Sequence, residues 1–316
     1  MAYCTLGIDT SCYTTSVALA AEGRVLKSKR RLLTVAQGER GLRQADGVWQ
    51  HVKALPLLFS ELMEEARADG LEINNVCVSA KPRDAEDSYM PVFAAGEAFA
   101  VSIAAALNIQ LNRTSHQQGH IRAAMYESGI QPGRFVALHL SGGTTETVLT
   151  DETLNITPIG GTDDLNAGQL VDRTGVLLGL SFPAGPQLEK LALNGCAKHV
   201  LPVSRNGAAC SFSGAEAQIG RIIKAGSLSK EDTAAEVYSF LARSVARLIY
   251  EAVERSGARQ ALLAGGVASS GLLRELLPKR LDKLGCTAKI YWGKPELSGD
   301  NACGVALIGD STFRGI

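Results

Sequence analysis

The chain has 316 residues, a formal net charge of zero and 46% hydrophobic residues, which is enough for sizeable buried cores. A chain of this length exceeds the usual limit for one core, so we expect two domains. Because the charges balance, the composition gives no electrostatic argument for binding nucleic acid or a membrane surface. One local patch, Lys27, Lys29, Arg30 and Arg31, is a candidate for RNA binding, although a solvated edge strand is the simpler interpretation.

The cysteines and the hydropathy bear on where the protein works. Seven cysteines are dispersed without C-x-x-C spacing, which indicates reduced thiols and argues against a disulfide framework or a zinc knuckle. The N-terminal residues show no basic region followed by an apolar run, so we predict no signal peptide. The sequence contains no run of about 18 uncharged apolar residues, so we predict no membrane span. We therefore expect a cytoplasmic protein with no membrane partner.

The first part of the chain alternates between strand and helix patterns. The first two strands are joined by a turn rich in hydroxyl groups, and Pro56 lies inside the first helix, where it could introduce a kink. A third helix follows Thr114 or Ser115, either of which can cap it. The predicted strands are 4–9, 16–20, 25–33, 76–79 and 109–111, and the first two helices are 48–68 and 91–107.

The opening pattern of strand, hydroxyl-rich turn and strand returns later in the chain. This weak internal repeat favours a duplicated fold, with a boundary at the turn sequence Gln131-Pro132-Gly133. We predict lobes at 1–133 and 134–316, with the last helix a candidate to pack on the first lobe. The later strands are predicted at 134–140, 146–150, 260–264 and 289–292, and the later helices at 166–179, 186–194 and 230–256, from 271 and from 300. Such alternation indicates the α/β class.

Two histidines four residues apart, His116 and His120, are the strongest single chemical signal. On a helix they share one face, with Cβ atoms about 5–6 Å apart. Imidazole is a common metal ligand near neutral pH, although such a pair alone is more often structural. Gly119 between them weakens the helix by about 1 kcal/mol relative to Ala, so we expect close backbone packing to explain it. His139 directly precedes a loop suited to phosphate, which favours metal chemistry beside phosphate chemistry.

Three loops rich in glycine or hydroxyl groups, 10–15, 141–145 and 265–271, lie at strand ends. Their short residues let backbone N–H groups approach phosphate oxygens, and the third loop leads into a helix N-terminus, which favours anions. Two hairpin loops and one strand-to-helix loop match the layout of actin-like ATPases. The predicted fold is therefore an α/β actin-like ATPase (ASKHA) fold, with two duplicated lobes and a central nucleotide cleft.

Motifs of one known family follow one another along nearly the whole chain. They are Gly7-Ile-Asp-Thr-Ser-Cys12, His116-x-x-x-His120, Ser141-Gly-Gly143, Asp164-Leu-Asn-Ala-Gly168, Asp172, Leu178-Gly-Leu-Ser-Phe-Pro-Ala-Gly-Pro186, Ser211-Phe-Ser-Gly214, Ala264-Gly-Gly-Val267 and Asp300-Asn301. In their order and spacing they resemble the TsaD family (also Gcp or YgjD) of tRNA threonylcarbamoyladenosine synthesis proteins. Its archaeal and eukaryotic counterpart belongs to the KEOPS complex, and the family was formerly labelled M22 glycoprotease.

The resemblance implies a bound divalent metal, iron or zinc. Its ligands would be His116, His120 and Asp300, and His139 stands where the KEOPS branch has a further tyrosine ligand. Nitrogen and oxygen donors of this kind suit zinc or iron and can leave a position open for water or substrate. From the residues alone, Asp300 is more often a helix N-cap.

The resemblance also implies a site for an AMP- or ATP-type nucleotide. The Asp172 carboxylate would hold ribose hydroxyls, and Ser270 stands where the family usually has asparagine. The residues implied at this site are His139, Leu140, Ser141, Gly142, Gly143, Asp172, Gly185, Gly265, Gly266 and Ser270.

The activity that the resemblance implies is transfer of a threonylcarbamoyl group from threonylcarbamoyl-AMP to N6 of the adenosine beside the anticodon. Its partners would be tRNA, a smaller actin-like paralogue and a P-loop ATPase. Tyr13-Thr14 replaces the family's Asp-Glu, so no catalytic residue is assigned. Two alternatives stay open: a non-catalytic paralogue that binds nucleotide and metal, and another carbamoyltransferase or kinase of the actin fold. A metalloprotease is disfavoured because Gln117, not glutamate, follows His116.

Overall fold

The computed structural model describes residues 2–11, 13–35, 42–203 and 209–315. Their contacts form two compact units, one of residues 1–126 with 299–316 and the other of residues 127–298. The predicted lobe boundary after residue 133 lies shortly beyond the first break, and the last helix belongs to the first unit. Among the described residues, each helix is too short or too polar to cross a bilayer.

The described elements are eleven strands, nine α-helices and two single-turn 3₁₀ helices, Val267–Ser269 and Pro295–Leu297. In chain order the strands and α-helices are β1 (Ala2–Ser11), β2 (Thr14–Ala21), β3 (Arg24–Leu32), α1 (Gln44–Ala68), β4 (Leu71–Lys81), α2 (Pro91–Leu107), β5 (Gln110–Ser115), α3 (His116–Met125), β6 (Phe135–Leu140), β7 (Thr145–Thr150), β8 (Ile156–Thr162), α4 (Ala167–Leu177), α5 (Gly185–Ala192), β9 (Ala209–Cys210), α6 (Ser213–Ala225), α7 (Lys230–Ser256), β10 (Gln260–Ala264), α8 (Gly271–Leu284), β11 (Lys289–Trp292) and α9 (Cys303–Arg314).

The first unit is built on a five-stranded sheet in the order β3-β2-β1-β4-β5. The β1–β2–β3 meander is antiparallel, whereas β4 and β5 join β1 in parallel. Helices α1 and α2 pack against the sheet, and α9 contacts β1, β2 and β4. Strand β1 is buried from Cys4 onward because helices cover the sheet, whereas edge strand β3 alternates between exposed and half-buried residues.

The second unit repeats this plan with a six-stranded sheet in the order β11-β10-β6-β7-β8-β9. The β6–β7–β8 meander is antiparallel and β10 joins β6 in parallel. Helix α7 forms much of the core. Its predicted core positions are all buried, namely Val237, Leu241, Val245, Leu248 and Ala252. Ser229 caps the helix by accepting from Asp232 N–H, and Gly257 ends it at a φ of 68°, both as predicted.

Three elements lie where the sequence predicts none: β8, β9 and α6. Strand β8 contains Pro158 and two glycines, so its propensity is poor and pairing with β7 defines it. Helix α6 has Phe212 at its N-cap, which gives no capping signal in the sequence. The last helix begins at Cys303, three residues after the predicted start, and its N-cap is Ala302.

Candidate metal and nucleotide sites

The histidine pair lies on α3, which begins directly at the end of β5. Ser115 is the N-cap, and its side chain accepts from the backbone N–H of Gln118 while the Gln118 side chain accepts from the Ser115 N–H. This capping box fixes the start of the helix. His116 is therefore the first helical residue, and His120 follows one turn later on the same face.

The two imidazoles and the Asp300 carboxylate converge on one point. The Nε2 atoms of His116 and His120 lie 3.0 Å apart. Asp300 Oδ1 lies 3.1 Å from His120 Nε2 and 3.6 Å from His116 Nε2. One ligand atom from each residue falls within 4.8 Å of the others. Asp300 is not a helix cap, because it lies in the loop before α9.

A second layer of polar groups orients these three side chains. Asp9, at the end of β1, places Oδ2 2.8 Å from Nδ1 of His116. Ser79 donates to the same oxygen at 2.5 Å, and the Ser11 backbone N–H donates to Asp9 Oδ1 at 3.0 Å. The Ser11 hydroxyl donates to Asp300 Oδ2 at 2.8 Å. A carboxylate behind a ligating histidine fixes the tautomer with Nδ1 protonated, which leaves the Nε2 lone pair for a metal.

The electrostatics of this group favour a bound cation. Burial alone lowers the pKa of His116, but the charges and hydrogen bonds of Asp9 and Asp300 outweigh burial and hold this pKa well above its usual value. Burial alone raises the pKa of Asp300, but the two histidines outweigh it and hold that pKa well below its usual value. The cluster therefore carries charges that stabilise one another, and a metal would replace the shared protons.

Close contact between α3 and α9 holds the two histidines and Asp300 in place relative to one another. A Cβ on Gly119 would lie 2.9 Å from a methyl group of Val305, and a Cβ on Gly304 would lie 1.8 Å from the carbonyl oxygen of Gly119. The backbone of Gly119 thus lies close to Gly304, but a side chain at position 119 would first meet the Val305 methyl group. The helix that carries both histidines thus rests directly on the helix that follows Asp300.

The donor set fits a divalent transition metal. Two imidazole nitrogens and one carboxylate oxygen suit zinc or iron, and three protein ligands leave room for a further one. His139, the predicted fourth ligand, lies on β6 in the second unit. The three residues of the first unit come together, and the role of His139 stays a prediction.

The second unit contains a cavity of about 370 Å³, the size of a small-molecule site. Residues from the β6–β7 loop, α4, α5, α7 and the turn after β10 line it. They are Gly142, Gly168, Val171, Asp172, Pro183, Gly185, Pro186, Glu189, Tyr238, Gly266, Val267, Ser269 and Ser270.

Glycines at the cavity allow backbone segments to touch. A Cβ on Gly168 would lie 2.6 Å from the backbone nitrogen of Gly142, so the start of α4 packs onto the 141–143 loop. The loop itself is a tight turn, because the Ser141 hydroxyl accepts from the N–H groups of Gly143 and Thr144 at 3.3 and 3.1 Å. Gly265 has a φ of 98°, and a Cβ there would lie 2.2 Å from the carbonyl oxygen of Leu140. Of the glycines in these segments, Gly142, Gly168 and Gly266 line the cavity and leave backbone uncovered by a side chain there.

Polar side chains stand around the cavity. Asp172 Oδ1 accepts from the Ala184 N–H at 2.8 Å. Glu189 Oε1 accepts from the Leu272 N–H at 2.8 Å, in the first turn of α8, where a carboxylate is favoured. The Tyr238 hydroxyl donates to the Gly185 carbonyl at 3.2 Å, and burial first, with the Glu189 charge, raises the pKa of Tyr238. A nucleotide would meet carboxylates and N–H groups here.

Five of the ten residues predicted for the nucleotide site line this cavity: Gly142, Asp172, Gly185, Gly266 and Ser270. The other five are not among its lining residues: His139, Leu140, Ser141, Gly143 and Gly265. Ser270 is also the N-cap of α8, since its hydroxyl accepts from the Leu273 N–H at 3.1 Å. Glu189 and Tyr238 were missed, because a glutamate and a tyrosine inside helices give no signal until the helices are packed.

A family model and a known protein with similar sequences carry the same description. The family model for TsaD, described as tRNA N6-adenosine threonylcarbamoyltransferase, matches residues 44–307. A protein of Aromatoleum aromaticum with the same description is 29% identical over 313 residues, covering 96% of this chain and 90% of that protein.

Solved structures with little sequence identity share the fold. The activator of the 2-hydroxyisocaproyl-CoA dehydratase from Clostridium difficile, with bound ADPNP, has a TM-score of 0.56 and 18% identity, covering 99% of this chain and 96% of its own. A ROK family glucokinase from Streptomyces griseus, in complex with glucose and AMPPNP, has a TM-score of 0.56 and 12% identity, covering 97% of this chain and 98% of its own. These are actin-like ATPase folds, so the predicted fold is confirmed.

Proposed function

Because the chain belongs to the TsaD family of tRNA N6-adenosine threonylcarbamoyltransferases, we propose that it transfers a threonylcarbamoyl group from threonylcarbamoyl-AMP to N6 of the adenosine beside the anticodon of tRNA. The observation that carries the proposal is the convergence of His116, His120 and Asp300 within 4.8 Å, backed by Asp9. Family membership supports a transferase, and an intact ligand group supports an active one. Since tRNA is the substrate, we place the reaction in the cytoplasm.

Each part of the chain has a defined task in this proposal. The cavity of the second unit binds the AMP part, with Asp172 placed for ribose hydroxyls and the 141–143 loop and the α8 N-terminus for phosphate. His116, His120 and Asp300 hold one divalent metal, iron or zinc, and Asp9 keeps His116 in the ligating tautomer. When bound, such a metal supplies Lewis acidity and a template for the acyl group. The amine of adenine is a poor nucleophile, so its placement against the activated carbonyl is the main catalytic task.

The assay combines purified protein, threonylcarbamoyl-AMP and unmodified tRNA, with and without the two proposed partners, a smaller actin-like paralogue and a P-loop ATPase. Mass spectrometry of the digested tRNA detects the modified nucleoside. We expect the wild type to form the modified nucleoside and His120→Ala and Asp300→Asn to form none. Asp282→Asn, which changes an exposed residue of α8, should keep the wild-type activity. A wild type that binds AMP and zinc but forms no product in any combination would refute the transfer.

That negative outcome would support the second candidate, a paralogue that binds nucleotide and metal without transfer. Tyr13 and Thr14 favour it, because the β1–β2 turn carries no acid at the two positions where the family usually has Asp-Glu. Tyr13 is 47% exposed and Thr14 is only 3% exposed. A third candidate, a small-molecule kinase of the same fold, would transfer the γ-phosphoryl group of ATP to an acceptor and release ADP when ATP and a small-molecule acceptor are supplied in a separate mixture.

A further inference from the structure

A second cavity in the same unit as the nucleotide cavity, of about 220 Å³, lies where α7 packs against α8. Four of its lining side chains are cations, and none is an acid. The lining residues are Val203, Arg243, Ala246, Arg247, Arg280, Lys283 and Leu284. Such a concentration of positive charge stands out in a chain whose net charge is zero. We call it the α7–α8 basic cavity.

Helix geometry brings these four charges to one space. Arg243 and Arg247 are one turn apart on α7, and Arg280 and Lys283 are three residues apart on α8, so each pair shares a helix face. Arg247 and Arg280 are half-buried and Lys283 is exposed at the rim. The remaining lining side chains, Val203, Ala246 and Leu284, are apolar. The cavity therefore combines two charged helix faces with apolar contacts.

Only one of the four charges is neutralised within the described part of the chain. Arg243 lies 3.3 Å from Glu236 Oε1, and the oxygens of this buried glutamate also accept from two backbone N–H groups. Among the described residues, Arg247, Arg280 and Lys283 have no carboxylate within 4.0 Å. The pKa of Arg243 is lowered overall. Burial lowers it most, the Glu236 charge raises it, and the nearby Arg280 charge lowers it further.

The basic patch that the sequence suggests for RNA binding is different. On β3, Lys27 lies 2.6 Å from Asp69 and Lys29 pairs with Glu65. Arg31 lies 3.8 Å from a carboxylate of α1. Carboxylates of α1 and of Asp69, which follows it, lie within 4.0 Å of three of the four cations of the patch, which fits the simpler interpretation as a solvated edge strand. Its charges are therefore largely compensated, in contrast to those of the α7–α8 basic cavity.

We propose that the α7–α8 basic cavity binds a backbone phosphate of RNA and so provides a contact point for tRNA. This inference rests on the proposed function for the choice of RNA. The cavity is smaller than the 300–1,000 Å³ or so of typical small-molecule sites, which suits one phosphate group. Three uncompensated cations exceed the single charge of one phosphodiester, and rim charges such as Lys283 suit the neighbouring phosphates of the same strand. Guanidinium groups recognise phosphate by paired hydrogen bonds.

The test compares two double variants with the same change of charge. Arg247→Gln/Arg280→Gln removes one cation of the cavity from each helix. Arg255→Gln/Lys279→Gln removes one cation from each of the same helices outside the cavity, where each forms a surface pair at 4.0 or 2.7 Å. Binding of unmodified tRNA is measured by fluorescence anisotropy over about 50–200 mM salt.

We expect the cavity variant to bind tRNA about tenfold more weakly at low salt, with a salt slope shallower by about 1 for each phosphate that is no longer neutralised. The control double should change neither quantity by more than about twofold. Equally weakened binding in both variants, or unchanged binding in the cavity variant, would overturn the proposal. So would calorimetric binding of inorganic pyrophosphate at the cavity with tRNA affinity unchanged by the substitutions.

Two controls keep the result interpretable. ADP binding at the nucleotide cavity and circular dichroism check that the unit is folded. If the double variant does not fold, exposed Lys283→Gln alone should weaken binding about threefold. Binding is measured without threonylcarbamoyl-AMP, so the two proposals fail separately. If the wild type transfers nothing but the cavity variant still has a shallower salt slope than the wild type, only the proposed function is refuted. If the wild type transfers normally and the two proteins have the same salt slope, only the RNA contact is refuted.

Discussion

Gly304→Ala tests whether the contact between α3 and α9 sets the geometry of the metal site. The new Cβ would lie 1.8 Å from the Gly119 carbonyl oxygen and 2.7 Å from the Ala123 nitrogen. Both obstacles are backbone atoms, so no side chain can rotate away. Ordinary contact begins near 3.4 Å, and the helices must therefore separate by more than an ångström. Overpacking of this kind costs about 1–3 kcal/mol.

The same separation moves Asp300 away from the histidines, because Asp300 precedes α9 and the histidines belong to α3. We expect zinc affinity to fall about 10–100-fold, the range seen when the support of metal ligands is disturbed. Thermal unfolding should shift down by about 2–4 °C for each kcal/mol of destabilisation. Zinc affinity is measured by competition with a chromophoric chelator, and stability by calorimetry of the metal-free protein.

Two other glycine-to-alanine variants make the comparison decisive. Gly119→Ala meets only a methyl group of Val305 at 2.9 Å and gains about 1 kcal/mol of helix propensity, so its stability should stay within about 1 kcal/mol of wild type. Gly220→Ala, inside α6 with open space around its Cβ, should stabilise by about 0.5–1 kcal/mol. If Gly304→Ala matched either of these in stability and zinc affinity, the packing argument would be wrong.

Three further variants address the supporting contacts. Asp9→Asn removes the carboxylate behind His116 and should weaken zinc binding about 10–100-fold in chelator competition, with urea unfolding as the check on folding. Gly168→Ala places a Cβ 2.6 Å from the Gly142 nitrogen and should weaken ADP binding at least about tenfold by calorimetry, while zinc affinity stays unchanged. Burial raises the pKa of Asp164, but hydrogen bonds from two serine hydroxyls and nearby N–H groups outweigh burial and lower this pKa. Asp164 therefore stabilises the fold above about pH 4 and loses this effect as the pH falls further. Because Asp164 is exposed and solvent screens its interactions, Asp164→Asn should cost only about 1 kcal/mol at pH 7 and should flatten the acid limb of the unfolding curve.

The histidine pair of the metal site could be predicted from the sequence because it depends only on residues that are close together in the chain. His116 and His120 lie one turn apart, Ser115 and Gln118 form a capping box, and both facts depend only on spacing. Asp300 comes from residues far along the chain, and only the family resemblance joined it to the pair. Asp9 was not assigned, since one carboxylate at a strand end gives no signal until β1 and β5 are placed in one sheet.

The fold shows the same division between local and non-local information. Helices with strong caps, such as α7, were predicted with correct bounds, whereas α6 was missed because its N-terminus is satisfied from elsewhere. Asp164 Oδ2 accepts from the Ser213 N–H at 3.1 Å and from the Ser211 hydroxyl at 2.5 Å. That carboxylate supplies the cap that Phe212 cannot, so the helix depends on a residue nearly fifty positions upstream.

The contacts of Asp9 and Asp300 bear on which group would accept a proton in the proposed transfer. Asp9 Oδ1 accepts from Ser11 N–H, while Oδ2 faces His116 and accepts from Ser79. Asp300 Oδ1 faces the two histidines, and its Oδ2 accepts from the Ser11 hydroxyl. Each of the four oxygens thus has a contact that holds its side chain in position, which disfavours either carboxylate as the general base of the proposed transfer. Since Tyr13 and Thr14 stand in place of the family acids, we expect the proton of the attacking amine to leave through another group.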